Sequence, residues 1–119
     1  MKTKVYVETT VVSYLTGRAT RDLMVAAHQE ETRALWPRLT SDFETYISAL
    51  VYEEAGRGNP EDAMHIAVAA VNGIDIVLTW NFAHINNPFK KMLIRQAVEN
   101  AGYRCPEICS PDELMEGIP

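Results

Sequence analysis

Residues 61–81 carry the clearest alternation of apolar and polar positions in the chain, and they predict a helix, a turn and a strand. Asp62 stands at the helix start, where a carboxylate satisfies free N–H groups and the positive end of the helix dipole. Met64, Ile66, Ala67, Val68, Ala70 and Val71 make that helix apolar around most of its girth, as burial against a sheet demands. Asn72-Gly73 ends it, because glycine takes a left-handed cap at no steric cost. Ile74 to Thr79 is a short β-branched run, the pattern of a buried parallel strand. Asp62 stands at the helix start, and Thr79 and Asn81 at the strand end.

The remaining elements follow in order. Lys2 to Val7 predicts a first strand that runs into Glu8-Thr9-Thr10. A short helix follows through Val11, Val12, Tyr14 and Leu15, with Thr9 or Thr10 as its cap and Gly17 as its stop. Thr20 to Leu39 is the longest helical stretch, with Thr20 as its cap. Leu23, Ala26, Ala27, Ala34, Leu35 and Trp36 give it a partly apolar stripe. Met24 and Trp36 read as anchors, for the chain's own core or for a partner helix, and His28 reads as a surface residue. Pro37 places the end of the regular helix near Trp36.

A second strand is expected at Thr45 to Ile47, and Ser48 then caps a helix from Ala49 to Ala55. Glu53 and Glu54 lie about 100° apart on that helix. Glu54 falls in its last turn, where a carboxylate opposes the dipole and so is not placed for helix stability. Pro88 starts a helix to about Ala101, with Gly102 as its stop. Lys90, Lys91 and Arg95 fall near one side of it, as a solvated face or as the basic wall of a groove for an anionic polymer. Glu107 to Ser110 is a last strand, and Ser110-Pro111 opens a terminal helical turn.

This alternation predicts one α/β domain over residues 1–119 with a mainly parallel sheet. Composition narrows the function. A formal charge of −5 argues against broad electrostatic binding of nucleic acid, leaves room for a local basic patch, and fits carboxylates gathered around a cation. Cys105 and Cys109 make no disulfide framework, and no second pair completes a metal site with them. Reduced cysteines and no signal-peptide pattern lead us to expect a cytoplasmic protein. No apolar run approaches the roughly 20 residues of a membrane span.

Right-handed crossovers bring the C-terminal ends of parallel strands to one rim. Glu8 and Asn81 belong to that rim, and Asp62 and Glu54 are on helices that reach it. Three carboxylates and an amide oxygen repel one another unless a cation sits among them. Hard oxygen donors suit Mg²⁺ or Mn²⁺. Such an ion activates water and stabilises charge on a phosphoryl oxygen, which points to a phosphodiester substrate.

The stretches Val-Tyr-Val-Glu-Thr-Thr-Val-Val-Ser-Tyr-Leu, Tyr-Ile-Ser-Ala-Leu-Val-Tyr-Glu-Glu, Asp-Ala-Met-His-Ile-Ala-Val-Ala and Leu-Thr-Trp-Asn-Phe-Ala-His-Ile, in this order, resemble the PIN-domain family, nearest to VapC-like toxins of bacterial toxin–antitoxin pairs. The match runs from the first strand to about Ile85. The resemblance implies a small three-layer fold and a Mg²⁺- or Mn²⁺-dependent endoribonuclease. Glu8 stands where the family usually has an aspartate, Glu54 at the second acid, Asp62 at the aspartate opening the histidine-containing helix, and Asn81 at the fourth position. Thr9 and Thr79 would be supporting hydroxyls, and His65 a packing or supporting group. RNA would reach the site past Lys90, Lys91 or Arg95. A cognate antitoxin and a homodimer are the implied partners.

Two departures from the family pattern matter. Glu8 is one methylene longer than aspartate. Only seven residues separate Glu54 from Asp62, where family members carry a much longer segment. The sheet is therefore expected to lack one edge strand, and an exposed edge invites pairing. The competing reading is a degenerate, non-catalytic module that docks an antitoxin or a second copy through the Leu23–Trp36 helix. A nucleotide-binding α/β domain is disfavoured, because no Gly-rich phosphate loop follows any strand.

Overall fold

The computed structural model describes residues 2–47, 62–83 and 85–118. Four strands form one all-parallel sheet: β1 (Lys4–Val7), β2 (Glu44–Tyr46), β3 (Ile76–Leu78) and β4 (Glu107–Cys109), in the order β2-β1-β3-β4. The described residues also form five helices: α1 (Thr9–Thr16), α2 (Leu23–Asp42), α3 (Asp62–Val71), α4 (Pro88–Asn100) and α5 (Pro111–Gly117). The α/β expectation and the parallel sheet hold. The expected helix at Ala49–Ala55, and Glu54 with it, lies outside the described residues.

Period-two alternation sorts the strands onto two faces. Val5, Val7 and Leu78 turn toward α1, α2 and α5, where they pack with Val11, Leu35, Leu39 and Leu114. Tyr6, Val77 and Ile108 turn the other way, toward α3 and α4, and pack with Ile66, Ala69, Ile85 and, at the margin, Ile94 and Val98. The result is three layers with the sheet in the middle. Both side layers are needed because every central strand is apolar on both faces.

The connections from β1 run over one face toward β2, and the connection from β3 runs over the opposite face toward β4. A constant right-handed crossover requires this reversal. The C-terminal ends of β1 and β3, neighbours in the sheet, therefore flank the point where the chain's direction of travel switches. In open α/β sheets that crevice is where ligands bind.

Local signals explain most element ends. Gly73 takes φ +66° just after α3, a left-handed conformation that suits glycine. Asn87 caps α4 by accepting from Phe89 and Lys90 N–H, with Pro88 in the first turn. Glu113 accepts from the Ser110 N–H at the start of α5. Gly17 closes α1 where a Cβ would meet the Ser13 carbonyl at 2.8 Å and Gln29 Nε2 at 2.9 Å.

Three local expectations are corrected. Glu8, rather than Thr9 or Thr10, caps α1. Asp22, rather than Thr20, caps α2, accepting from Met24 and Val25 N–H at 3.0 and 3.1 Å, while Thr20 Oγ1 accepts from the Asp22 N–H. A carboxylate two residues nearer the helix displaces the weaker hydroxyl cap. Finally, α2 runs through Pro37 to Asp42. Leu35 and Leu39, spaced four apart, are both almost fully buried, and this packing holds the last turn despite the missing donor at Pro37.

Asp75 ties the lower edge of the sheet together. Its Oδ2 accepts from the Lys4 N–H at 2.9 Å, and its Oδ1 pairs with Arg104 at 2.8 Å. The Lys4 hydrogen bond, and next the Arg104 bond, hold its carboxyl below the usual aspartate range. A lowered native pKa means the unfolded chain binds the extra proton first as pH falls. The stabilisation is present above the unfolded value and is lost on acidification through the native one, below about pH 4. Thermal melts of Asp75→Asn should therefore approach those of the parent chain as pH drops from 6 toward 3; a gap that stays constant would refute this linkage.

Candidate functional site

The candidate site is built on Glu8. It follows β1 directly, its N–H donates to Leu78 O at 3.0 Å, and its side chain turns back over the start of α1. The residue is fully buried. One carboxylate oxygen, Oε1, accepts three hydrogen bonds: from Thr10 N–H at 3.2 Å, Thr10 Oγ1 at 2.5 Å and Thr79 Oγ1 at 2.6 Å. The other, Oε2, is buried and has no hydrogen-bond partner among the described residues. A buried carboxylate oxygen left bare costs free energy that a nearby cation offsets.

The end of β3 completes the cradle. Thr79 is fully buried, and its hydroxyl accepts from the Asn81 N–H at 2.9 Å while donating to Glu8. Asn81 is half-buried, and its carbonyl accepts from Ile85 and Asn86 N–H at 3.2 and 2.7 Å, which fixes the turn leaving the strand. Thr10 links both strand ends, because its Oγ1 also accepts from the Trp80 N–H at 2.8 Å. The sequence marked Thr10 only as a cap. Its latch across 70 residues depends on β1 and β3 being neighbours, which local spacing does not encode.

His65 lies fully buried on α3. Its Nδ1 meets Tyr6 OH at 2.7 Å and its Nε2 meets Thr9 Oγ1 at 3.1 Å. The first of these bonds ties α3 to β1 and the second ties it to the first turn of α1. Asp62 opens α3 three residues earlier, so position 62 lies on the side of the helix that carries His65, one turn nearer its start. The Asp62 side chain and all of Glu54 lie outside the described residues.

The basic residues of α4 are not equivalent. Arg95 is engaged by Glu99 at 3.8 Å and Glu107 at 3.5 Å. Lys90 is exposed and Lys91 is half-buried. Among the described residues no three acids, histidines or cysteines gather as a ready metal cage. Burial first, and the Glu113 charge next, push the Cys109 thiol up to about 12. No helix among the described residues is long and apolar enough to cross a membrane.

An aromatic cluster adjoins the site, and the sequence did not announce it. His28, read from its spacing as a surface residue, is half-buried and stacks on Trp80 with ring centroids 4.0 Å apart and planes 14° apart. Trp80 Nε1–H donates to Thr32 Oγ1 at 2.8 Å. Tyr14 closes one edge of the stack and Phe82 another. These contacts join helices and strand across about fifty positions, beyond the reach of any helical periodicity.

The donor type that the described residues offer, a carboxylate oxygen bare among them while Thr10 and Thr79 hold its twin, is the type that a hard divalent cation takes. Compared with known proteins, the chain matches no family model, no curated protein and no solved structure.

Proposed function

We propose that the chain is a divalent-metal-dependent endoribonuclease that hydrolyses RNA phosphodiesters at the rim where β1 and β3 end. The single observation that carries this reading is Glu8: fully buried, held through Oε1 by three donors, with Oε2 bare among the described residues. The resemblance of the four sequence stretches to VapC-like toxins supports it, as does the position of Glu8 at the switch point of the sheet.

Glu8, Glu54, Asp62 and Asn81 would hold Mg²⁺ or Mn²⁺. When bound, the ion supplies Lewis acidity toward a phosphoryl oxygen and activation of water. The chain's own residues orient the rest. Thr10 and Thr79 clamp one oxygen of Glu8, so that its other oxygen keeps a fixed direction. Thr9, His65 and Tyr6 seat the start of α3 against α1 and so hold position 62 at the rim. With Arg95 engaged by acids, Lys90 and Lys91 are the cations of α4 left for RNA phosphates. The same reading places the protein in the cytoplasm, where RNA is the available phosphodiester and thiols stay reduced.

A second reading rests on Leu23 and Met24, 86% and 71% exposed at the start of α2. In it the chain is a degenerate, non-catalytic module that docks an antitoxin or a second copy on that helix. The test separating the two is cleavage of RNA by purified protein with Mn²⁺ or Mg²⁺, beside an EDTA control and Asp62→Ala. The nuclease predicts metal-dependent cleavage that falls by about a hundred-fold or more in the variant. A folded chain that leaves RNA intact in every metal sinks the catalytic reading and favours the docking module.

A further inference from the structure

The aromatic stack beside Glu8 is larger than the local fold needs. Trp80 is 5% exposed and already satisfied by Thr32, yet His28 lies flat on it and Phe82 leans against both rings, at 6.1 and 6.2 Å between centroids. Phe82 is 46% exposed. The stack is also tied to the carboxylate: the Trp80 N–H donates to Thr10 Oγ1, which donates to Glu8 Oε1. A partly exposed ring, Phe82, therefore lies two residues beyond the main-chain bond that ties Trp80 to the cradle of the proposed metal ligand.

Charge narrows what could settle there. The chain carries −5 overall, and several arginines are committed elsewhere. Arg33 donates to the Leu15 and Gly17 carbonyls, Arg38 pairs with Asp42, Arg95 with Glu99 and Glu107, and Arg104 with Asp75. A polyanion gains little from long-range attraction to such a surface. Beyond the few phosphate contacts that Lys90 and Lys91 would make, affinity for a single strand then draws on contact with its bases, and stacking on aromatic rings supplies it without regard to sequence.

We propose that Phe82, backed by the His28–Trp80 stack, is a stacking platform for an unpaired base of single-stranded RNA, next to the phosphodiester presented to Glu8. This inference rests on the nuclease reading and adds the feature of the substrate that is recognised. It makes Phe82 a binding residue, and it makes His28 and Trp80 positioning residues that act through the Phe82 ring. A duplex, whose bases are already stacked on one another, is disfavoured at the platform.

The test is fluorescence anisotropy of a labelled oligoadenylate of about eight nucleotides. It is run in EDTA with the full chain, against an abasic strand of equal length and charge. The oligoadenylate should bind about ten-fold tighter than the abasic strand, Phe82→Ala should abolish that margin, and Phe82→Trp should keep it. The margin between the two strands should change little between about 50 and 200 mM salt, because they carry equal charge. Equal binding of the two strands, or binding that ignores Phe82→Ala and collapses with salt, overturns the platform in favour of phosphate contacts. Metal-dependent cleavage of RNA is measured alongside. Cleavage with no base-dependent binding leaves the nuclease standing and removes the platform; base-dependent binding with no cleavage does the reverse.

Discussion

Glu8→Gln should abolish the metal response of this protein while leaving the metal-free fold as stable as before. The amide is nearly isosteric with the carboxylate. Its oxygen still accepts from Thr10 and Thr79, the three donors that now hold Oε1. What changes is the bare oxygen: Oε2, buried and unpartnered among the described residues, becomes a neutral NH₂ group. Burying an unpaired neutral donor costs less than burying an unpaired charge, so the melting temperature in EDTA should stay level or rise.

With metal the two chains should diverge. A cation at about 100 times its Kd stabilises the native state by about 2.7 kcal/mol. For a domain of this size that raises Tm by about 10 °C. Mn²⁺ titrations followed by thermal melting should show this rise in the parent chain and none in Glu8→Gln, and RNA cleavage should fall by about a hundred- to a thousand-fold in the variant. A variant that melts lower than the parent in EDTA, or that keeps the Mn²⁺ shift, removes Glu8 from the proposed metal site.

The second large effect lies in α2. Leu39 is fully buried in the cluster that joins β1, α2 and α5. Truncating it leaves a cavity under the last turn of α2, and Leu39→Ala should cost about 3 kcal/mol, within the range for buried leucines. That is a large part of the stability of a small domain. Pro37, two residues earlier, should act in the opposite direction. It lies inside the helix, without an N–H to give. Pro37→Ala restores that donor and should stabilise the chain by about 1–3 kcal/mol. Urea unfolding of both variants checks the pair. A Leu39→Ala loss below about 1 kcal/mol would mean that the packing does not hold the helix across Pro37.

That pair also shows where sequence reasoning ends. Pro37 read locally is a stop, because proline removes a donor and crowds the preceding turn. The burial of Leu39 overrides it, and burial belongs to the folded chain. The caps divide in the same way. Pro88, Gly73 and Ser110-Pro111 were legible because the groups that satisfy these helix ends sit within four residues. Glu8 as the cap of α1 was not, although it accepts from the Thr10 N–H only two residues on: local preference favours a threonine or a shorter acid at a cap, and the Thr79 hydroxyl, 71 residues away, helps to hold the longer side chain there.

The sequence by itself determined the four strands, the parallel α/β class and, among the described residues, the helices that follow. Their signals are periods of two and about 3.6 residues with glycine, proline and polar caps at the ends, and all of these act over one or two turns. It also placed Glu8, Thr79 and Asn81 at strand ends, and so on one rim. Only the tertiary structure decided the strand order that makes β1 and β3 neighbours, and with it the Thr10–Thr79 clamp on one oxygen of Glu8, whose other oxygen is bare among the described residues. It alone turned His28 from an apparent surface residue into a ring stacked on Trp80. The physical reason is common to these cases: each depends on side chains brought together by crossovers across some fifty to seventy positions, and such contacts leave no periodic trace along the chain.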